Sequence, residues 1–219
     1  MDFSLRAIAL GVLPVVLAIT LHEAAHGYAA RSFGDRTAER LGRISLNPLR
    51  HIDPVGTLLV PGMMIAAAAA FGGPPWIFGW AKPVPVNFGN LRHPKRDMLW
   101  VAAAGPAANF VMALLWAIGL EVVMPGGRWP SDALFEMARI GVSINLVLMA
   151  LNLIPIPPLD GGRIAVSLLP MPLAAVWQRL ERYGFVIIIA LLVTGLLNDL
   201  MLPFLRLGEY LLGTLLQIR

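Results

Sequence analysis

Long apolar stretches separated by short charged connectors dominate the pattern of this chain. A helix of about 20 mostly apolar residues crosses a bilayer, and residues 7–30 carry no charge except Glu23. The pattern predicts membrane-spanning helices over residues 5–32, 98–124, 137–155 and 183–202. We therefore expect an all-α polytopic membrane protein with about four to six transmembrane helices.

The apolar stretch 56–81 differs from the others because it is broken by Pro61-Gly62, by residues 72–75 and by Gly79. Basic residues flank both of its ends. A segment whose two ends lie on the same side of the membrane is re-entrant, and such backbone persists only against protein or water. The charge pattern favours a re-entrant hairpin over a short helix that crosses the bilayer at 57–71.

Two further segments have distinctive compositions. Residues 81–87 read Ala-Lys-Pro-Val-Pro-Val-Asn, and proline biases its neighbours toward extended backbone, so we expect a short extended segment there. The segment 203–219 places Arg206, Glu209 and Arg219 among leucines. It is either an interfacial helix or a last span.

Composition supports an integral membrane protein of one domain, residues 1–219. Hydrophobic residues make up 58% of the chain, charged residues make up 14%, and the mean hydropathy is +0.72. Soluble domains are about 45–50% apolar and about 25% charged. The chain has no cysteine, which excludes disulfides and thiolate metal sites. Asp2 beside Arg6 argues against a cleaved signal peptide, so we expect residues 5–32 to be retained.

Positive charge predicts the orientation. Twelve of the 17 Lys and Arg residues lie in the connectors 31–55, 82–97 and 163–182, which should be cytoplasmic. The N-terminus and the loop 125–135 then face outward. Because the net charge of +4 is spread over connectors, it points to the lipid bilayer as a partner and not to nucleic acid.

The candidate chemistry lies inside the first apolar stretch, at His22-Glu23-Ala24-Ala25-His26. A helix places residues i and i+4 on one face, so His22 and His26 project side by side. Two imidazoles at this spacing form half of a zinc site, and Glu23 can act as a general base on water. An intramembrane carboxylate is costly, which strengthens this interpretation over a pair of core histidines.

A catalytic zinc site needs a third protein ligand, and Asp160 is the best candidate. It follows a proline-broken helix end, at the same predicted depth as the two histidines. The alternative is that Asp160 only caps the helix that follows. His51 and His93 lie in basic connectors and are expected to be ordinary surface residues.

Two asparagines within predicted spans are candidate substrate contacts. The amide of Asn152, 8 residues before Asp160, could hold a peptide carbonyl, and Asn109 could do the same. For both residues the alternative is a helix–helix hydrogen bond.

Three motifs together resemble a known family. They are H-E-A-A-H at residues 22–26, A-G-P-A-A-N at 104–109 and N-L-I-P-I-P-P-L-D-G-G at 152–162. The chain resembles the site-2 protease family of intramembrane zinc metalloproteases (peptidase family M50), in its compact bacterial and archaeal branch without a PDZ or CBS domain.

The resemblance implies one Zn²⁺ held by His22, His26 and Asp160, with Glu23 as the catalytic base. It implies substrate-positioning or oxyanion roles for Asn109 and Asn152. It also implies a multi-pass protein of a bacterial or archaeal cell membrane that cleaves transmembrane protein or peptide substrates, with the active site toward the cytoplasm. The alternative is a membrane metal transporter or a metal-binding protein without protease activity, although a transporter needs no Glu beside the first ligand. The substrate, the activating signal and the oligomeric state are not predicted.

Overall fold

The computed structural model describes residues 5–71, 79–122 and 132–216, and these residues form helices, turns and extended segments without a β-strand. The described α-helices are α1 (Leu5–Ser32), α2 (Thr37–Arg40), α3 (Val60–Phe71), α4 (Pro94–Val122), α5 (Asp132–Leu153), α6 (Asp160–Leu168), α7 (Met171–Arg179), α8 (Gly184–Thr194) and α9 (Leu196–Leu216). Short helical turns lie at Pro48–Arg50, Pro54–Leu59, Phe88–Asn90 and Leu180–Tyr183. The all-helical fold class is confirmed.

Three helices among the described residues are long and apolar enough to cross a membrane: Ala9–Ser32, Pro94–Leu120 and Asp132–Leu153. They correspond to the first three predicted spans. In each, only about a third of the most apolar window is buried inside the protein, between 33% and 39%. The remaining apolar surface faces outward, as a lipid-exposed helix requires.

Helix α4 occupies the centre of the fold, since it packs against α1, α5, α6 and α9. Small residues permit this close approach, and Ala113 of α4 is fully buried in a cluster with Leu146 and Met149 of α5 and Leu212 of α9. Arg6 Nε lies 3.4 Å from Glu136 Oε2, which joins the N-terminal ends of α1 and α5. These two helices therefore begin at the same end of the bundle.

The predicted fourth span, 183–202, is not one continuous helix. Helix α8 ends at Thr194, and Gly195 adopts a left-handed conformation with φ of +79°. An L-residue with a side chain is disfavoured there, so glycine permits the turn. The segments Met171–Thr194 and Leu196–Leu216 meet at 91°, a broken span or a re-entrant arrangement.

The two ends of the segment 56–81 lie side by side. Trp80 N donates to Gly56 O at 3.1 Å, Thr57 Oγ1 donates to Trp80 O at 2.8 Å, and Lys82 N donates to His51 O at 2.9 Å. Helix α3 lies between these ends, and residues 72–78, which include the predicted Gly-Pro break, are outside the described residues. Most of the loop 125–135 and the last residues of 203–219 are also outside them.

Residues 79–87 contain neither helix nor strand and run alongside α1, as expected for the extended segment. Arg43 Nη2 donates to Lys82 O at 2.9 Å, and the buried Asp35 accepts from Asn87 N at 2.6 Å. Burial disfavours ionisation of Asp35, but hydrogen bonds from Thr37, Asn87 and Asn90 hold its pKa below the usual value. The segment is thus fixed to the end of α1.

Candidate metal centre

The two histidines of the first motif converge as the helical spacing predicts. His22 and His26 lie one turn apart on α1, and their Nε2 atoms are 3.0 Å apart. Both side chains are buried, with relative exposures of 8% and 6%. The α1 helix thus presents two ring nitrogens to one point inside the bundle.

Asp160 supplies a third atom to the same point from the first residue of α6. Its Oδ2 lies 3.2 Å from His22 Nε2 and 3.2 Å from His26 Nε2. This oxygen is buried and accepts no hydrogen bond from any described residue. No side chain caps the start of α6. The position of Asp160 therefore favours the ligand interpretation over the capping alternative.

The opposite ring nitrogens show which tautomer each histidine adopts. His26 Nδ1 lies 2.7 Å from Val101 O, and a carbonyl oxygen can only accept, so Nδ1 carries the proton. His22 Nδ1 lies 2.6 Å from Asn109 Oδ1. In the neutral rings both Nε2 atoms then carry a lone pair. In that state the two Nε2 atoms and Asp160 Oδ2 are three acceptors that face each other, which is an arrangement that suits a bound cation.

The spacing of these atoms fits zinc. Ligand atoms about 2.0–2.1 Å from a tetrahedral Zn²⁺ lie about 3.3 Å from one another. The three separations here are 3.0, 3.2 and 3.2 Å. Two imidazoles and one carboxylate are also a normal donor set for a catalytic zinc, with a fourth position left for water. Among the described residues, His22, His26 and Asp160 form a group that could hold a metal ion.

Gly105, in the middle motif, makes room for this group. A Cβ atom there would lie 2.6 Å from His22 Nε2 and closer still to His26 Nε2. The motif lies within α4, and the backbone of Gly105 faces the two rings. A glycine is required at this position because any side chain would occupy the space between α4 and the imidazoles.

Glu23 points toward the extended segment. Its Oε2 accepts a hydrogen bond from Val84 N at 2.7 Å, and the residue is only partly buried. One carboxylate oxygen is thereby oriented, while Oε1 makes no hydrogen bond to a described residue. A carboxylate held in this way, one residue from a metal-ligating histidine, is suited to proton transfer.

A cavity of about 180 Å³ lies between the extended segment and the start of α6. Val86 lines one wall, and Pro158, Gly162 and Arg163 line the other. Gly162 and Arg163 lie two and three residues after Asp160 on α6. The size of the cavity suits a side chain.

The remaining predicted residues have varied positions. Asn109 is fully buried and bonded to His22, whereas Asn152 Nδ2 donates to Leu148 O on its own helix at 3.0 Å. The substrate roles of both stay predictions.

His93 is exposed, as expected. The expectation for His51 is wrong: it is only 2% exposed, because its Nε2 bonds to Ser45 O at 2.8 Å inside the connector.

Sequence reasoning missed three participants: the Val101 carbonyl, the Val84 amide and the side chain of Asn145. Asn145 Oδ1 accepts from Asn109 Nδ2 at 3.0 Å, and Asn145 is fully buried in α5. A polar side chain in an apolar span was a detectable signal for Asn145. Backbone partners leave no such signal, because every residue type carries the same amide and carbonyl.

The chain is similar to known proteins over most of its length. The family model of peptidase family M50 matches residues 118–195. "Putative zinc metalloprotease YwhC" of Bacillus subtilis is 37% identical over 206 residues, covering 90% of this chain and 86% of the relative. "Putative zinc metalloprotease Rip2" of Mycolicibacterium smegmatis is 34% identical over 187 residues, covering 84% of this chain and 66% of the relative. No solved structure matches the chain significantly.

The relative from B. subtilis shares enough identity over enough of its length to establish the family. The expected metalloprotease activity and the zinc cofactor are thereby confirmed, which disfavours the metal transporter. Its apolar helices make the protein an integral membrane protein. The chain belongs to peptidase family M50, and it is a membrane-embedded zinc metalloprotease.

Proposed function

We propose that this protein is an intramembrane endopeptidase that cleaves membrane-protein substrates in or next to their transmembrane segments, as in regulated intramembrane proteolysis. One observation carries the proposal. Three acceptor atoms suited to zinc lie buried among helices that are long and apolar enough to cross a membrane. A protease with its metal centre at that position meets peptide bonds that are themselves in or near the bilayer.

In this proposal His22, His26 and Asp160 hold the metal, and Glu23 is the general base. The metal held by these three residues would supply Lewis-acid chemistry, polarising a scissile carbonyl and making water more acidic. Glu23 takes the proton from the attacking water and passes it to the leaving amine. The hydrogen bond from Val84 N supports this role, because it orients one carboxylate oxygen and leaves the other to meet water.

The extended segment is the proposed guide for the substrate. Helical hydrogen bonds shield peptide carbonyls, so a substrate helix must unwind before it is cut. The backbone of Val86 makes no hydrogen bond to a described residue, and an unwound peptide could pair with it as an added strand. The cavity bounded by Val86 and Arg163 would then receive a substrate side chain. Asn152 remains a proposed contact to the substrate backbone.

We also propose that the site opens toward the cytoplasm and that the segment 56–81 is a re-entrant hairpin. The hydrogen bonds of Gly56 and Thr57 to Trp80 support the hairpin, because a single crossing would separate those residues by the membrane thickness. The basic connectors support the orientation.

The test uses the full-length zinc-loaded protein in detergent or lipid and a panel of single-span substrates. Glu23→Gln should bind about one zinc per chain, as the wild type does, and lose cleavage by at least about 100-fold, which is the usual contribution of a general base. His22→Ala and Asp160→Ala should lose zinc as well.

Glu39→Gln is the matched control, since Glu39 lies on α2 and pairs with Arg31 at 3.3 Å, away from the metal centre. It should keep both zinc and activity. Full activity in Glu23→Gln would show that Glu23 is not the general base. Cleavage of soluble loops alone, never near a transmembrane segment, would overturn the intramembrane function.

A further inference from the structure

A chain of buried side-chain amides connects α5 to the metal centre through α4. Asn145 Nδ2 donates to Gly141 O at 2.8 Å, Asn145 Oδ1 accepts from Asn109 Nδ2 at 3.0 Å, and Asn109 Oδ1 lies 2.6 Å from His22 Nδ1. Both asparagines have relative exposures of 0%. Neither amide can therefore exchange its partners for water.

The direction of each hydrogen bond follows from one fixed end. The Gly141 carbonyl can only accept, so the NH₂ group of Asn145 must face it and the Oδ1 of Asn145 must face Asn109. The NH₂ group of Asn109 then faces Asn145, and it is also 3.3 Å from Ala18 O, another obligate acceptor. This leaves Asn109 Oδ1 toward the imidazole, where it requires a proton on His22 Nδ1.

We propose that Asn109 and Asn145 are positioning residues that hold His22 in the tautomer whose Nε2 lone pair faces the metal. The inference rests on the proposed metal-binding role of His22. A reversed Asn109 amide would present N–H to Nδ1 and favour the tautomer with its proton on Nε2, which cannot bind a cation. The asymmetry between the two ligands fits this role: His26 is fixed by a backbone carbonyl, whereas His22 depends on side chains that can rotate.

The experiment measures zinc affinity of the full-length protein in detergent, by competition with a chelating indicator. Partners that orient ligating histidines typically contribute 10–100-fold in metal affinity. Asn145→Leu should weaken zinc binding by about tenfold, since Ala18 O still favours the native orientation of Asn109. Asn109→Leu should weaken it by about 100-fold.

A conservative substitution of Asn109 separates an effect of amide orientation on zinc binding from an effect of side-chain packing. In Asn109→Asp one carboxylate oxygen still accepts from His22 Nδ1, while the other faces the acceptors Asn145 Oδ1 and Ala18 O. Zinc affinity should therefore lie between the wild-type value and that of Asn109→Leu. In that background Asn145→Leu should not weaken zinc binding further, because a carboxylate has no N–H that Asn145 must orient and the substitution removes an opposing acceptor. Asn198→Leu, at an exposed position of α9, is the matched control and should bind zinc as the wild type does.

Each outcome bears on one claim. If Asn145→Leu binds zinc as tightly as the wild type, or weakens binding equally in both backgrounds, the positioning role is overturned. An Asn109→Asp variant that binds zinc no more tightly than Asn109→Leu overturns the acceptor role of Asn109. If the wild-type protein binds no zinc, the proposed function itself fails.

Discussion

At the scale of single residues, the metal centre depends on an absent side chain as much as on the ligands. The backbone of Gly105 faces the imidazoles of His22 and His26, so the space that the metal needs is kept open by α4. The ligands could be identified from their chemistry. The need for a glycine could not, because it follows from where another helix passes.

Gly105→Ala should therefore lower zinc occupancy. The added methyl group would lie 2.6 Å from His22 Nε2, and neither a helix backbone nor a ring fixed by Asn109 can move aside cheaply. We expect the purified variant to lose most of its zinc, measured by metal analysis, while it remains folded.

The matched control is Gly119→Ala on the same helix. A Cβ atom at Gly119 has no neighbour within 4 Å, so zinc content should equal that of the wild type. Equal zinc content in the Gly105 and Gly119 variants would mean that the rings can move away from α4.

At the scale of elements, the connector after α1 is stabilised by one carboxylate. Asp35 accepts hydrogen bonds from Thr37 N, Asn87 N and Asn90 Nδ2, and these bonds hold the extended segment beside α1. Because they lower the pKa of Asp35, its stabilising contribution is fully present above the unfolded pKa of about 3.8. The contribution is lost as the pH falls through the lower pKa of the folded protein.

We expect Asp35→Ala to destabilise the metal-free protein at pH 7 by about 1–3 kcal/mol, the usual cost of leaving buried donors without an acceptor. The difference from the wild type should shrink as the pH is lowered below about 4. Thermal unfolding in detergent at several pH values measures this. Asp199→Ala, at an exposed position of α9, is the control and should show no such pH dependence.

Topology of the hairpin can be tested by labelling, because the native chain has no cysteine. Single cysteines at the exposed positions Leu49 and Phe88 should react with an impermeant reagent from the same face of the membrane. A cysteine at Asp132 should react from the opposite face. Labelling of the first two positions from different faces would mean that the segment 56–81 crosses the bilayer.

At the scale of the whole molecule, the proposed intramembrane function predicts how substrates are selected. In that proposal a substrate helix must lose hydrogen bonds before its backbone reaches the metal centre, so poor helix formers near the cut should speed cleavage. Replacing a mid-helix Leu-Leu pair by Asn-Gly should raise the rate severalfold, since each such residue weakens the helix by about 0.5–1 kcal/mol. Cleavage rates of the two substrates in the same lipid measure this, and equal rates would show that unwinding is not selective.

Local chemistry in the sequence determined the candidate ligands and the class of fold. The His22–His26 pair could be predicted because the helical repeat alone places i and i+4 together, and Asp160 because it lies at matching depth. The apolar stretches likewise predicted helices, because lipid offers no hydrogen-bond partner to backbone groups and a helix pairs those groups within itself.

The tertiary structure decided what depends on contacts between distant segments. Gly105 beside the imidazoles, the Val84 amide on Glu23 and the Asn145–Asn109–His22 chain each join residues that are far apart in sequence. The break at Gly195 also emerged only in three dimensions, because an apolar run with one glycine is compatible with a straight span or a bent pair. Hydropathy reports which residues avoid water, whereas the orientation of a buried amide depends on the atoms that surround it.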